Sequence, residues 1–135
     1  MNALRINQLS DDAFEWYVRY LDALDCGDAE ALRAYIHEDC IMQINDNLPL
    51  YGASVILGAL KHNWTRFERI EHEPTNIYGS DRRFAVEMLW HFTRRDSSQR
   101  VTVPACSFVD RGDDGRACSV RLFANLAPAF EKRRA

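Results

Sequence analysis

The sequence predicts an α+β fold in which a curved sheet, mixed or antiparallel, forms a cone covered by three N-terminal helices. Three observations carry this prediction. Apolar residues recur at helical spacing through most of the first half and at a spacing of two in the second, so helices and strands are largely segregated along the chain. The stretch Arg83–Thr93 sets Phe84, Val86, Met88, Trp90 and Phe92 against Ala85, Glu87, Leu89, His91 and Thr93. Side chains of a strand point alternately to its two faces, so this strand has one large apolar face that needs a cover. Three helical segments precede it as that cover, and two long strands follow to extend the sheet. Sheet and helices then either pack solidly or leave a lined cavity, and solid packing is the commoner fate of such a face.

The 135 residues are one domain's worth, 1–135, with a core over about residues 10–130. A hydrophobic share of 47% with 27% charged residues is that of a soluble globular chain, and the net charge of −3 speaks against a nucleic-acid binder. No apolar run reaches the length of a membrane helix, so no membrane partner is expected. The N-terminus lacks the apolar stretch of an export signal, which implies a cytoplasmic protein. Cys26, Cys40, Cys106 and Cys118 form no Cys-x-x-Cys pair and read as reduced thiols packed as small hydrophobes.

Taken in order, residues 1–9 show no pattern and read as a loose arm. Ser10 has the chemistry of an N-cap, with Asp11 and Asp12 set at the positive end of a helix. Phe14, Tyr17, Val18, Leu21 and Leu24 recur at helical spacing, and Gly27 ends the helix. Asp28 caps a second helix whose inner face carries Ala31, Leu32 and Tyr35, and His37-Glu38-Asp39 breaks that pattern. A short strand is expected over 40–45, a turn at Asp46-Asn47 and Pro49, and a third helix over 52–67 with Ile56, Ala59, Leu60, Trp64 and Phe67 inward. A strand over 70–78 is interrupted by Pro74, which predicts an edge or a bulge. After the turn Gly79-Ser80-Asp81 come the alternating strand 83–93, a strand over 100–110 and a last one over 117–125. Pro104 predicts a bulge at which the second of these changes faces. Pro128 stops the last strand, and 131–135 reads as a solvated tail.

This order, with Tyr-Leu-Asp-Ala-Leu-Asp-Cys-Gly-Asp-Ala-Glu-Ala-Leu at 20–32, resembles the nuclear transport factor 2-like superfamily and, within it, the SnoaL-like and ketosteroid-isomerase-like proteins. Further pieces are Tyr-x-x-Glu-Asp from Tyr35, Tyr51-Gly52 opening the third helix, Val86-Glu87-Met88, Asp114-Gly115-Arg116 and the ending 121–128. The resemblance runs from about Ser10 to Phe130 and implies the fold and a cone-shaped pocket. It says little of the reaction, since this fold hosts isomerases, cyclases, dehydratases, epoxide hydrolases, non-catalytic subunits and transport adaptors.

In ketosteroid isomerases a carboxylate base works beside an oxyanion hole of Tyr and protonated Asp. The resemblance puts Tyr20 at the oxyanion-hole tyrosine and Tyr35 at a supporting one. Tyr20 reads equally well as a half-buried helix tyrosine bonded locally. The family's base falls near Ile44; Asp46, two residues on, shares that face if the strand continues, and otherwise is a turn-forming Asp. The isomerases' second acid falls near Ser107, which cannot act as a proton-sharing carboxylic acid, so a steroid isomerase is disfavoured. Tyr20 and Asp46 are the expected catalytic pair. Trp16, Tyr17, Tyr35, Ile44, Leu60, Trp64, Phe84, Val86, Met88, Trp90, Ser107 and Leu122 are the expected pocket lining, all of which ordinary core packing would also explain. Glu87 and His91 share the opposite side of their strand, where solvent or a subunit interface is expected. The histidines His37, His62, His72 and His91 share no metal-ligand spacing, so neither metal nor cofactor is expected.

These readings converge on an enzyme using acid–base chemistry, without a cofactor, on a small, mostly apolar, oxygenated metabolite. Proton shift, ring closure, dehydration and epoxide opening all fit. A non-catalytic ligand-binding protein and an accessory subunit docking through its sheet are the alternatives. Glu87, Leu89, His91, Arg121 and Phe123 together suggest a homodimer through the outer sheet face.

Overall fold

The computed structural model describes residues 4–130. The tail expected at 131–135 lies outside the described residues. Ser10 caps helix α1 (Asp11–Asp25), its Oγ accepting from the Ala13 N–H at 3.2 Å. Gly27 follows at φ +66°, the left-handed geometry expected of it. Asp28 caps α2 (Ala29–Arg33), accepting from the Ala31 N–H at 3.0 Å. The third helix, α3, spans Ala53–Trp64 and buries Ala53, Ile56 and Leu57.

A seven-stranded sheet receives these helices: β1 (Ile6–Asn7), β2 (Ile36–Ile44), β3 (Leu50–Tyr51), β4 (Phe67–Ser80), β5 (Arg83–Arg94), β6 (Arg100–Arg111) and β7 (Ala117–Ala124). Their spatial order is β1-β4-β5-β6-β7-β2-β3, an open, unclosed sheet. The run β4 to β7 is an antiparallel meander, whereas β2 pairs with β7 in parallel. A short helix, α4 (Ala127–Phe130), ends the described chain. Pro128 lies in its first turn, where a missing N–H does no harm.

The alternation expected of β5 is present. Phe84, Val86, Met88 and Phe92 are buried on the inner face, and Glu87 is exposed on the outer one. Phe84, Val86 and Met88 join α1, α2 and α3 in the main core, while Phe67 and Phe92 form a second cluster with Ala129 and Phe130 packed on it. Phe67 therefore belongs to β4, not to the third helix. The turn into β5 requires Gly79: its φ is +127°, and a Cβ there would lie 2.5 Å from the Arg83 carbonyl oxygen.

Several expectations are corrected. Residues 4–9 are not a loose arm, since Ile6–Asn7 pairs parallel to β4, Arg5 N–H donates to the Thr75 carbonyl at 2.8 Å, and Leu9 is buried. The first long strand begins at Ile36 rather than Cys40, and the polar His37-Glu38-Asp39 sits in it where the register with β7 shifts between Ile36 and Ile41. Pro74 lies at a register shift, as expected. Pro104 does not: pairing with β5 runs in step through it, and Val103, Ala105, Ser107 and Val109 stay on the buried face. The β6–β7 ladder stops at Ala105, one residue short of Pro104, so the proline has no ladder bond to interrupt on that side.

Candidate active site

An apolar cavity of about 80 Å³ lies between the helices and the inner sheet face. Tyr17 and Tyr20 enter it from α1, Ile44 from β2, and Leu60 and Trp64 from α3. Met88, Trp90, Ser107 and Leu122 contribute from the sheet. These are nine of the residues expected at the site. The other five are elsewhere. Trp16 lies against Tyr20 and Tyr35, with the Arg111 guanidinium 4.2 Å above its ring. Tyr35 packs on the core without reaching the cavity. Phe84 meets Tyr17 edge-on at 5.2 Å, and Val86 is fully buried, so both are core rather than lining.

Asp46 is exposed in the turn after β2 and does not line the cavity, so Tyr20 and Asp46 are not brought together. The cause is local. Asn45 adopts φ +53°, which ends the strand and its period of two. Its side chain clamps the end of β7, donating to the Ala124 carbonyl at 2.8 Å and accepting from the Ala124 N–H at 3.0 Å.

The ionisable pair at the cavity is Asp25 with His72. Asp25 is the last residue of α1, and His72 lies in β4 with its side chain 8% exposed, lining the cavity. The His72 N–H donates to Oδ1 and Oδ2 of Asp25 at 3.2 and 3.1 Å, and Nδ1 lies 2.6 Å from Oδ1. A carboxylate only accepts, so the neutral ring carries its proton on Nδ1 and leaves the Nε2 lone pair free. Among the described residues Nε2 has no hydrogen-bond partner. Trp90, paired directly across from His72 in the sheet, stacks on its ring at 5.2 Å. The Trp90 Nε1–H is buried without an acceptor among the described residues.

The two tyrosines complete the set. Both are buried, with stacked rings 5.9 Å apart. Burial pushes the Tyr17 phenol well above its ordinary pKa, helped by Tyr20 and by the Asp25 charge. Burial raises Tyr20 as well, helped by Cys40. Both phenols therefore stay protonated and remain hydrogen-bond donors throughout the physiological range. On the opposite face of β5, His91 is neither wet nor in the cavity. It is 7% exposed, with Nδ1 2.7 Å from Thr102 Oγ1 and Nε2 3.4 Å from Glu73 Oε1. Among the described residues no three His, Cys, Asp or Glu side chains group so as to hold a metal ion, and no helix is long and apolar enough to cross a membrane.

Sequence reasoning missed Asp25 and His72. One local sign of the pair exists: Asp22 and Asp25 occupy the last turn of α1, which holds no basic residue. Negative charge at that end opposes the helix dipole, so such a residue invites the search for a partner elsewhere.

The comparisons agree with this architecture. The family profile of the SnoaL-like domain matches residues 17–120. Among curated proteins no sequence match was found. A structure from Jannaschia sp. CCS1, assigned as a SnoaL-like polyketide cyclase, superposes with a TM-score of 0.77 at 16% identity over 93% of each chain. One from Xanthomonas campestris pv. campestris, assigned as a polyketide cyclase, gives 0.74 at 20% identity over 87% of this chain and 93% of that one. AclR from Streptomyces galilaeus, assigned as a hydroxylase, gives 0.72 at 14% identity over 87% and 92%. At such identities the superpositions speak for the fold alone. The profile, spanning more than half of the chain from within α1 to β7, speaks for the family: this protein belongs to the SnoaL-like domain family and has the nuclear transport factor 2-like fold.

Proposed function

We propose that this protein is an acid–base enzyme that acts with its own side chains on a small, mostly apolar, oxygenated molecule held in the cone. The observation carrying the proposal is the Asp25–His72 pair at the wall of an otherwise apolar cavity. Asp25 orients the imidazole, and Nε2 takes a proton from a carbon or oxygen of the substrate and returns it at another atom. Tyr17 and Tyr20, kept protonated by burial, are available to donate to the oxygen on which charge builds. Such a set suits enolisation, aldol-type ring closure or loss of water. The polyketide-cyclase assignments of similar structures accord with this chemistry.

Deuterium exchange α to the carbonyl of planar ketones such as 1-tetralone, followed by NMR in D2O, tests the proposal. The protein should accelerate exchange, and His72→Gln should remove ~10²–10⁴ of that acceleration. Full exchange activity in the variant would defeat the assignment.

A second proposal concerns assembly. Ile41, Phe108 and Phe123 are exposed on the sheet, Phe108 and Phe123 touch edge-on at 5.9 Å, and Arg121 stacks on Phe108 at 5.0 Å. An aromatic centre with a charged rim fits a second copy of this chain. Light scattering should give a dimer, and Phe123→Lys should give a monomer; a monomeric native protein at high micromolar concentration would refute it.

A further inference from the structure

A second, more open hollow of about 510 Å³ lies beside the cavity. The two share Ile44, Asn63, Leu126 and Phe130, which form a neck between them. The lining changes character across that neck. Inside it is aromatic and aliphatic apart from the Tyr17 and Tyr20 phenols, Asn63, His72 and Ser107, whereas outside Asn45, Asn47, Asn63 and Asn125 share the wall with Ile44, Ala124, Leu126, Ala127 and Phe130. No Asp, Glu, Lys or Arg among the described residues lines either space. Asn45 is occupied by its clamp on Ala124, and Asn125 Oδ1 accepts from the Ala127 N–H at 3.2 Å. The half-buried Asn63 amide has no hydrogen-bond partner among the described residues, although it stands at the neck itself.

The inner cavity, at about 80 Å³, is small beside the ~300–1,000 Å³ of small-ligand pockets. With the outer hollow it enters that range. With no Asp, Glu, Lys or Arg among the described lining residues, a charged ligand finds no partner there to offset the water it sheds. Primary amides both donate and accept, which matches hydroxyl groups, since these do the same.

We propose that the two spaces are halves of one site for an uncharged amphiphilic ligand. Its flat apolar part lies inside against Trp90, its hydroxyl-bearing part stays outside on the amides, and Asn63 sets specificity at the neck. The inference rests on the inner cavity being the site of the reaction proposed above.

Two probes test it by calorimetry or by quenching of tryptophan fluorescence: 2-methoxynaphthalene and 2-naphthyl β-D-glucopyranoside. The glucoside should bind about tenfold more tightly, and Asn63→Ala should remove most of that advantage while leaving the ether within about twofold. Asn125→Ala, at an exposed position, should show the same selective loss in smaller measure. Met88→Trp should abolish binding of both probes by filling the inner cavity. Equal affinity of the two probes, or a loss in Asn63→Ala that is the same for both, overturns the two-part site. If the ether still depends on Met88 in that case, the inner cavity stands and only the outer half falls. Ether binding indifferent to Met88→Trp, or no binding of either probe, removes the inner cavity and this inference together.

Discussion

Replacing Asp25 by Asn changes one oxygen for an NH2 group and leaves the shape of the side chain intact. The carboxylate accepts from the His72 N–H at 3.2 and 3.1 Å and meets Nδ1 at 2.6 Å. The main-chain N–H reaches both oxygens at nearly equal distance and so leaves the amide two placements; in the one that sets the new NH2 at the Oδ1 position, Nδ1 has to accept. The ring proton moves to Nε2, and the lone pair that served the cavity is gone. In serine proteases the corresponding change costs ~10⁴ in turnover, and general-base contributions run ~10²–10⁴, so a loss of that order is expected here. The stability cost is smaller. Asp25 is 24% and His72 8% exposed at the side chain, so the contact is mostly inside. Exchanging a charge-assisted hydrogen bond for a neutral one should cost about 1–2 kcal/mol, lowering Tm by about 3–6 °C. The ring nitrogen shifts of His72 in 15N NMR read the tautomer directly, without any substrate. The Nδ1–H form is expected in the native protein and the Nε2–H form in Asp25→Asn. The Nε2–H form in the native protein would refute the orienting role of Asp25, whatever the activities prove to be.

Two other measurements probe the scaffold. Ser10 donates its N–H and Oγ–H to Asp81, and these bonds hold the Asp81 carboxyl below the usual carboxylate range. A group depressed in this way stabilises the fold above its unfolded value of ~3.9 and loses that effect as the pH falls through its lower folded value. Asp81→Asn should therefore destabilise the protein at pH 7 and reduce its loss of stability on acidification below about pH 4; urea titrations giving the same destabilisation at every pH would count against this. Burial pushes the Cys40 thiol up to about 12, whereas Cys26 is exposed. Iodoacetamide at pH 8 should label Cys26 in the native protein and Cys40 only after unfolding, and mass spectrometry showing the reverse would contradict the packing.

The sequence disclosed what local periodicity can encode. Strict alternation identified the inner face of β5, and the capping chemistry of Ser10, Asp28 and Gly27 located the first two helices. Three residues at polar positions, His37 to Asp39, hid the start of β2, because the register shift there lets an irregular exposed stretch remain in a strand. Cavity lining was legible where one face of an element sufficed to infer it, as for Met88 and Trp90. Phe84 and Val86 share that face but sit buried in the main core, Phe84 against Tyr17 of α1, a distinction that only packing makes. The His72–Asp25 pair joins residues 47 positions apart, and no spacing rule spans such a gap. Asp46 failed for the opposite reason: the period of two holds to Ile44 and does not carry the two residues further, across an asparagine in left-handed geometry.

The parallel pairing of β2 with β7 bears on how the chain is made. Synthesis runs from the amino end, so Ile36–Ile44 emerges long before Ala117–Ala124, its only long neighbour. A nascent chain has β2 with nothing but the two-residue β3 to pair with until Ala117–Ala124 has been made. Met42 and Ile44 of β2, with Val120 and Leu122 of β7, form one wall of the cavity. That wall is completed only by β7, so a ribosome-bound fragment ending before Ala117 lacks half of it. Non-local closure of this kind is slow, and it leaves apolar strand surface exposed meanwhile. A molecule that fills the finished cone favours the closed chain over every incomplete one, so the ligand, once found, should also raise the yield of folded protein during expression.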